Sequence, residues 1–410
     1  MCGCLLWRKK LNQKKPIEDL EISMKLDRVN KLVILSNILA GCLLPGIATA
    51  QSSVTLYGVI DEGIDYVNNS GGQHLWRMRD GTYDGMYGSR WGLKGSEDLG
   101  GGLSALFKLE AGFSLENGQM RQGGREFGRQ AYVGLSKTDL GTVTFGRQYD
   151  SVVDFVQPVT AVGQFGGPFV RGGDIDNTDN SFRVDNSIKY ASPSFGGFTF
   201  GGMYSFTNSN APGLGTTGMW SLGAAYSHGG FNAGAAYFYA KNPAARFTDG
   251  NFIGNTTGAA IGASGPFSYV GAPRNERIMG IGADYAFGSA TAGIDYTNTK
   301  FDDANGTTSS VTFSNYEVWG QYKVTPAATL GAAYVYTDGK VNYNGARPKY
   351  HQVSLMGSYS VSKRTSFYAM AGFQQAAGDA KQADIFDFSI ADASTTNRQL
   401  MFRLGMLHQF

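Results

Sequence analysis

Apolar and polar side chains alternate along most of the chain after residue 50, and almost no segment has the 3.6-residue period of an amphipathic helix. The segment 399–410 is the clearest case, because one face is apolar and ends on an aromatic residue while the other carries polar side chains. Such a strand suits either a barrel wall between lipid and water or one sheet of a half-buried sandwich. The pattern alone favours the barrel wall.

Sixteen segments with this alternation are predicted as strands, and each is about ten residues long or longer, enough to cross a bilayer when tilted. They are 54–67, 87–97, 102–115, 127–137, 141–150, 183–191, 197–207, 217–228, 231–241, 277–287, 290–300, 313–324, 328–338, 348–361, 365–375 and 397–410. An even number lets an antiparallel barrel close with both ends on one side.

The connections alternate between short turns and long loops. The long ones are predicted at 68–86, 116–126, 151–182, 208–216, 242–276, 301–312, 339–347 and 376–396. Short turns on one side and long loops on the other are typical of outer-membrane barrels, whereas a soluble sandwich has no reason to keep this order. We therefore predict an all-β fold, a 16-stranded antiparallel transmembrane β-barrel, whose bore is too wide for side chains to fill.

The N-terminal residues predict that a secretory signal peptide is cleaved from the chain. In residues 24–50 a basic start precedes an apolar stretch, and Ala48-Thr49-Ala50 matches a small-residue cleavage site, so residues 24–50 are predicted as a secretory signal peptide. Residues 1–23 fit no part of it and are predicted to be an over-called start, which leaves 51–410 as the barrel domain. An alternative is lipid attachment at Cys42, which follows Leu39-Ala40-Gly41.

Composition excludes several classes of protein. All three cysteines precede the cleavage point, so the domain 51–410 has no disulfide or thiolate metal site. Loss of the eight Lys/Arg and four Asp/Glu before Gln51 changes the formal net charge from +2 to −2. The basicity therefore gives no support to nucleic-acid binding. No cofactor or metal is predicted.

Four stretches carry a family resemblance. SRWGLKGSEDLGGGLSALFKLEAGF at 89–113 resembles the signature hairpin of the trimeric general porins of Gram-negative bacteria, in particular the beta-proteobacterial type. GRQAYVGLSKTDLGTVTFGRQYD at 128–150 is similar to the hairpin that follows it, and SSVTLYGVIDEGIDY at 52–66 to the opening strand. LGMLHQF at 404–410 is similar to the last strand, with Phe410 as the assembly signature.

The resemblance implies a homotrimer in the outer membrane, in contact with its lipid and lipopolysaccharide. It also implies that loop 3, at about 151–182, folds into the lumen, with QFGG at 164–167 near its tip. Facing it, the family has wall arginines that correspond to Arg90, Arg129 and Arg183. Arg90 alternates with the apolar Trp91, which supports a side chain of Arg90 that points into the lumen. For Arg129 the alternation does not distinguish the two faces of the strand, and its inward direction rests on the resemblance.

Alternation also places further charges. Lys94 lies on the same face of its predicted strand as Arg90. In the next strand, Lys108 and Glu110 alternate with Phe107 and Leu109. These three are predicted to line the lumen, with a solvated position at the rim as the alternative.

The opposing charge is predicted on loop 3, where the candidates are Asp150, Asp154, Asp174, Asp176 and Asp179. Many relatives have a glutamate before FGG, where this chain has Gln164, and the missing carboxylate predicts a weak anion preference. The segment 174–180 faintly resembles a calcium loop, but it lacks the turn glycine and the terminal glutamate, so a polar loop is favoured.

The sequence thus predicts a general diffusion channel for small hydrophilic solutes and ions, and not an enzyme. An outer-membrane barrel acting as an adhesin or receptor is the alternative. A barrel enzyme is less favoured, because none of the four histidines belongs to a recognisable catalytic motif.

Overall fold

The computed structural model describes residues 53–207, 217–247, 265–385 and 392–410. The predicted signal peptide 24–50 and the preceding residues 1–23, including Cys42, lie outside the described residues.

Within the described residues the chain forms one antiparallel sheet of seventeen strands. The strands are β1 Ser53–Ser70, β2 Gln73–Asp80, β3 Arg90–Gly100, β4 Leu103–Gly112, β5 Gln130–Lys137, β6 Gly141–Gln148, β7 Val184–Ala191, β8 Phe198–Phe206, β9 Thr217–His228, β10 Phe231–Lys241, β11 Asn275–Phe287, β12 Ala290–Asp302, β13 Val311–Lys323, β14 Ala328–Val341, β15 Pro348–Ser360, β16 Thr365–Gly378 and β17 Arg398–Gln409. Because β17 pairs with both β16 and β1, the sheet closes on itself and the backbone groups of its terminal strands find partners.

The second position in the wall is shared by two strands. β2 pairs with the half of β1 from Glu62 to Ser70, and β3 pairs with the half from Ser53 to Val59. The barrel therefore has sixteen strand positions, as the sequence predicted. The prediction of a long loop at 68–86 was wrong: Gly71 and Gly72, with φ of 59° and 93°, form a tight turn, and the alternation in 73–80 builds β2.

The two faces of the wall differ as expected for a membrane barrel. In β17 the apolar side chain of Leu404 is 68% exposed, whereas its neighbour Arg403 is buried on the other face. Trp76, Ile294 and Val318 are likewise exposed large apolar residues of other strands. Because lipid surrounds the outer face of a membrane barrel, the exposed apolar side chains mark the outside and the alternate positions mark the inside.

The helices are short and lie in the connections. They are α1 Gly81–Asp84, α2 Ser151–Phe155, α3 Ala161–Phe165 and α4 Pro243–Arg246, with 3₁₀ turns at Gln157–Val159, Gly167–Phe169, Gly172–Asp174, Pro266–Tyr269 and Ala304–Gly306. Among the described residues, no helix has both the length and the hydropathy of a membrane span.

Loop 3, residues 151–182, packs against the inner side of the wall. Its Val152, Ile175 and Phe182 belong to one buried apolar cluster with wall residues such as Phe238 and Phe301. Polar contacts continue the packing: the indole N–H of Trp319 donates to the Val159 carbonyl at 2.9 Å, and the Gln352 amide donates to the Pro168 carbonyl at 2.8 Å. The loop is thereby attached to several strands along its length.

Candidate functional site

A cavity of about 270 Å³ lies where three parts of the chain meet. It is bounded by the connection between β2 and β3, by the adjoining ends of β3 to β6, and by loop 3 with the residues that follow it. Its charged lining residues are Arg90, Lys108, Glu110, Arg129, Asp179 and Arg183. The structure therefore brings together the three predicted arginines, with one carboxylate from the wall and one from loop 3.

Arg129 is held by a hydrogen-bond network around Glu110. The Arg129 Nε donates to Glu110 Oε1 at 2.9 Å, and Arg129 Nη2 donates to the Tyr149 hydroxyl at 3.2 Å. Tyr149 and Tyr57 donate their hydroxyls to the two oxygens of Glu110, at 3.0 and 2.8 Å. The charge of Arg129 is therefore compensated locally, and its orientation is held by Glu110 and Tyr149, which are themselves hydrogen-bonded to each other.

Arg90 and Arg183 have different partners. The Arg90 guanidinium carbon lies 5.6 Å from the centre of the Tyr87 ring, and its Nη1 donates to the Gly88 carbonyl at 3.2 Å. The Arg183 guanidinium carbon lies 5.8 Å from the Tyr149 ring centre. These contacts with aromatic rings and a carbonyl help to orient the two guanidinium groups.

The two predicted lysines lie side by side on the inner face. Lys94 of β3 is directly opposite Lys108 of β4, and both amino groups lie over the Tyr57 ring, at 5.4 and 5.6 Å from its centre. Lys108 also lies 3.5 Å from Glu110 Oε2. Lys108 and Glu110 line the cavity, whereas Lys94 lies outside its lining.

Asp179 is the loop 3 carboxylate that lines the cavity. Burial raises its pKa to about 7, and the opposing effect of Arg183 and Arg129 is too small to restore an ordinary value. Its charge therefore varies near neutral pH, beside the guanidinium groups of Arg129 and Arg183.

The structure places the other four predicted aspartates away from this cavity. Asp150 accepts from the Val152 N–H and the Asn177 amide, both at 2.7 Å, and thereby caps α2. Asp154 is ion-paired with Lys189. Asp174 accepts from the backbone N–H groups of Asp179 and Ser181, and Asp176 is ion-paired with Arg171. Among the described residues, no group of three or more acidic, histidine or cysteine side chains could hold a metal ion.

The QFGG stretch lies against the connection between β2 and β3. Gly166 and Gly167 both have positive φ, 66° and 47°, and a Cβ at either position would lie 2.5 Å from a backbone oxygen of that connection. Glycine is therefore needed both for the backbone angle and for the close approach. Gln164 turns its amide to the Pro158 carbonyl at 2.7 Å.

Sequence reasoning missed the ion cluster that attaches loop 3 to the wall. Arg171 is completely buried and contacts three carboxylates: Asp176 at 2.6 Å, Glu317 at 3.3 Å and Asp295. The alternation in β12 and β13 assigns Asp295 and Glu317 to the inner face, but an irregular loop has no period that could have placed Arg171.

A second missed cluster joins the first and last strands. Arg403 of β17 pairs with Asp65 of β1 at 2.7 Å, lies 3.5 Å from Asp61, and donates to the Tyr368 hydroxyl at 2.8 Å. Alternation predicted the inward direction of Arg403 but not its partners. Phe410 lies at the same seam, where its backbone N–H and C=O bond to Gly58 at 3.1 and 3.0 Å.

Comparison with known proteins identifies the family to which the chain belongs. Residues 38–379 match the family described as Gram-negative porin. An outer membrane porin protein of Bordetella pertussis is 30% identical over 380 residues, which cover 84% of this chain and 94% of the relative. The chain belongs to the Gram-negative porin family. This porin is accordingly an outer-membrane protein that forms a general diffusion channel.

Solved structures agree with the fold. The anion-selective porin from Comamonas acidovorans superposes with a TM-score of 0.70 at 25% identity, covering 88% of this chain and 100% of that one. OmpT of Vibrio cholerae, solved in a trimer form, has a TM-score of 0.62 at 19% identity and covers 88% of this porin and 99% of its own chain. The sixteen-position barrel is thus shared with established porins.

Proposed function

We propose that the cavity between loop 3 and the arginine-bearing wall is the constriction of the diffusion channel, and that it gives the channel a weak preference for anions. The observation that carries this proposal is the charge balance of the lining. Arg90, Lys108, Arg129 and Arg183 are opposed by Glu110 and Asp179. Two positive charges therefore remain when all six groups are ionised.

The passage of solutes needs no covalent chemistry. Fixed charges at a narrow section raise the local concentration of counter-ions, and the aperture sets the size limit. Small hydrophilic solutes and ions cross such a section by diffusion, and small anions are attracted to Arg90 and Arg183, whose guanidinium groups face aromatic rings. The anion-selective porin from Comamonas acidovorans, which has the same fold, supports this assignment.

The experiment is a reversal-potential measurement in a planar bilayer across a KCl gradient. The variant Arg90→Gln/Arg183→Gln removes two positive charges and is expected to abolish the anion preference. The control Lys363→Gln changes an exposed lysine in the turn between β15 and β16 and is expected to keep it. An unchanged permeability ratio in the double variant contradicts the proposal, as does a cation preference in the unmodified porin.

We also propose that this porin is a channel and not an enzyme. Three histidines make side-chain hydrogen bonds in the described part of the chain: His74 with Tyr66, His351 with Tyr334, and His408 with Thr365. Among the described residues, no histidine is hydrogen-bonded to a serine. Incubation of the purified porin with phospholipid and peptide substrates tests this, and hydrolysis that copurifies with the barrel contradicts it.

We propose a homotrimer embedded in outer-membrane lipid and lipopolysaccharide. The trimer form of the Vibrio cholerae structure supports this assembly. Light scattering of the detergent-solubilised porin is expected to give three times the mass of one chain. A monomer under conditions in which the channel conducts contradicts the proposal.

We propose that secretion removes residues 24–50. The described barrel starts at Ser53, so cleavage before Gln51 would leave every described strand in the mature chain. Intact-mass measurement of the outer-membrane form is expected to show a chain that starts at Gln51. A diacylated chain that starts at Cys42 supports the alternative of a lipid anchor.

A further inference from the structure

The connection between β2 and β3, residues 81–89, contacts both the wall and the tip of loop 3. A Cβ on Gly166 would lie 2.5 Å from the Met86 carbonyl oxygen, and a Cβ on Gly167 would lie 2.5 Å from the Asp84 carbonyl oxygen. The tip of loop 3 therefore rests on the backbone of the β2–β3 connection, and a movement of one requires a movement of the other. The residues of the connection that line the cavity are Gly81, Thr82, Gly85, Met86, Tyr87 and Gly88.

The β2–β3 connection has little structure of its own. Its helix α1 is four residues long, and an isolated helix of this length is unstable in water. Three of its nine residues are glycines, and glycine loses the most conformational freedom when it is ordered. The connection also lies at the gap in the wall, since β2 pairs with β1 only as far as Glu62 and β3 only from Val59. Contacts with side chains of the wall must therefore fix its position.

Asp61 of β1 lies at this gap, and the β2–β3 connection folds around its carboxylate. The carboxylate accepts from the Tyr87 N–H at 3.0 Å, and the Asp61 N–H donates to the Ser89 hydroxyl at 3.0 Å. The Ser89 hydroxyl donates in turn to the Asp61 carbonyl at 3.2 Å. A Cβ on Gly85 would lie 2.8 Å from both carboxylate oxygens, so glycine is needed for this close approach. These contacts attach the second half of the connection to β1.

Arg77 of β2 attaches the first half of the connection. Its Nη2 donates to Asp84 Oδ2 at 2.9 Å, and its Nε donates to Asp65 Oδ2 at 3.2 Å. Asp65 also pairs with Arg403 at 2.7 Å, and Arg403 lies 3.5 Å from Asp61. The three aspartates and Arg403 are buried, and the Arg77 side chain is 9% exposed. A buried chain of alternating charges therefore runs from the last strand through β1 and β2 to α1, and charge-assisted hydrogen bonds hold it in one geometry.

We propose that Arg77 is a positioning residue of the channel, which holds the β2–β3 connection against the wall through Asp84 and thereby keeps the aperture open. This inference rests on the proposed constriction. Arg77, Asp84 and Asp65 are outside the lining of the cavity, so they act on it through the connection. Without the cation, Asp65 and Asp84 are two buried like charges, and their repulsion moves the connection into the bore. The tip of loop 3, which rests on the backbone of the connection, moves with it.

Single-channel recording of the full-length porin in symmetric KCl tests the inference. Arg77→Met keeps the length of the side chain and removes its charge and its hydrogen-bond donors. The variant is expected to lower the mean conductance to about half or less and to increase the open-channel current noise, because a mobile segment enters the narrow section. The recording reports only on barrels that have folded and inserted, so a less stable variant gives fewer channels and not smaller ones.

Asp84→Ala breaks the same contact from the side of the connection and is expected to lower the conductance similarly. The double variant Arg77→Met/Asp84→Ala is expected to lower it no further than Arg77→Met alone, because both substitutions remove one shared interaction. The matched control is Arg79→Met, which removes a second arginine of β2, whose Nε lies 3.4 Å from Glu116 Oε1. The control is expected to conduct like the unmodified porin.

Unchanged conductance in Arg77→Met or Asp84→Ala overturns the inference, and so does a higher conductance in either variant. Independent losses that multiply in the double variant contradict it, as does an equal loss in Arg79→Met. If Arg77→Met inserts no channels, the conductance of Asp84→Ala decides in its place. The permeability ratio of Arg90→Gln/Arg183→Gln judges the proposed constriction separately. A changed ratio there, together with normal conductance in Arg77→Met, removes this inference and leaves the constriction standing.

Discussion

Neutralisation of Asp179 by acid is expected to increase the anion preference of the channel. Its pKa of about 7 lies within the pH range in which channels can be recorded in an intact bilayer. The carboxyl is about nine-tenths ionised at about pH 8 and about one-tenth ionised at about pH 6. Protonation of this one carboxyl raises the formal net charge of the lining from about +2 to about +3.

The size of the effect follows from the distance and the screening. A unit charge about 8 Å from a permeating ion contributes about 0.5 kcal/mol in water, and salt at about 0.1 M reduces this to about 0.2 kcal/mol. The contribution has opposite signs for a cation and an anion. The ratio of anion to cation permeability is therefore expected to increase about twofold as the pH falls.

The assay is the reversal potential of single channels across a tenfold KCl gradient, recorded at both pH values. Asp179→Asn serves as the decisive variant, because it should show the low-pH selectivity of the unmodified porin at both pH values. Asp150→Asn is the comparison, since burial raises the pKa of Asp150 to about 6 but its carboxylate caps α2 away from the cavity. A pH dependence that persists in Asp179→Asn refutes the reasoning, and so does an anion preference that decreases in acid.

Two further predictions concern the attachment of loop 3. Arg171→Met leaves the three surrounding carboxylates buried without their cation, and is expected to destabilise the barrel by about 3–5 kcal/mol in chemical unfolding followed by tryptophan fluorescence. Arg274→Met, at an exposed ion pair, is expected to cost about 0–1 kcal/mol, and equal effects would argue against the role of the buried cluster. Gly234→Val places a Cβ in steric conflict with the Phe155 carbonyl oxygen and is expected to displace α2 and change single-channel conductance. Gly320→Val, where the nearest atom is 3.6 Å away, is expected to conduct normally, and an unaltered conductance in the first variant contradicts the packing described.

Much of the wall could be predicted from the sequence because a strand has an exact period of two. The period assigns Arg90, Lys94 and Arg403 to the inner face. In the structure Arg90 lines the cavity, Lys94 lies over the Tyr57 ring, and Arg403 is buried beside Asp65. The main error, the loop at 68–86, arose because β2 is short and its alternation follows a turn of only two glycines. Local pattern gave no indication that two strands share one position in the wall.

The loop side chains were much harder to predict. Of the five aspartates proposed on loop 3, the structure places only Asp179 in the cavity lining, because capping and ion pairing determine the direction of the others. Those directions depend on partners far away in sequence, such as the contact of Arg171 with Glu317. Alternation identifies the side of a strand, but it carries no information about an irregular segment.

The interruption between β2 and β3 has a consequence for how such channels can diversify. β1 runs continuously past the gap, and so the hydrogen-bonded wall does not depend on the length or composition of residues 81–89. That connection nonetheless lies against the tip of loop 3, and both segments contribute to the lining of the cavity. Insertions or replacements there could therefore reshape the aperture while the cylinder and its strand register stay intact, which gives evolution a second and independent way to adjust which solutes pass.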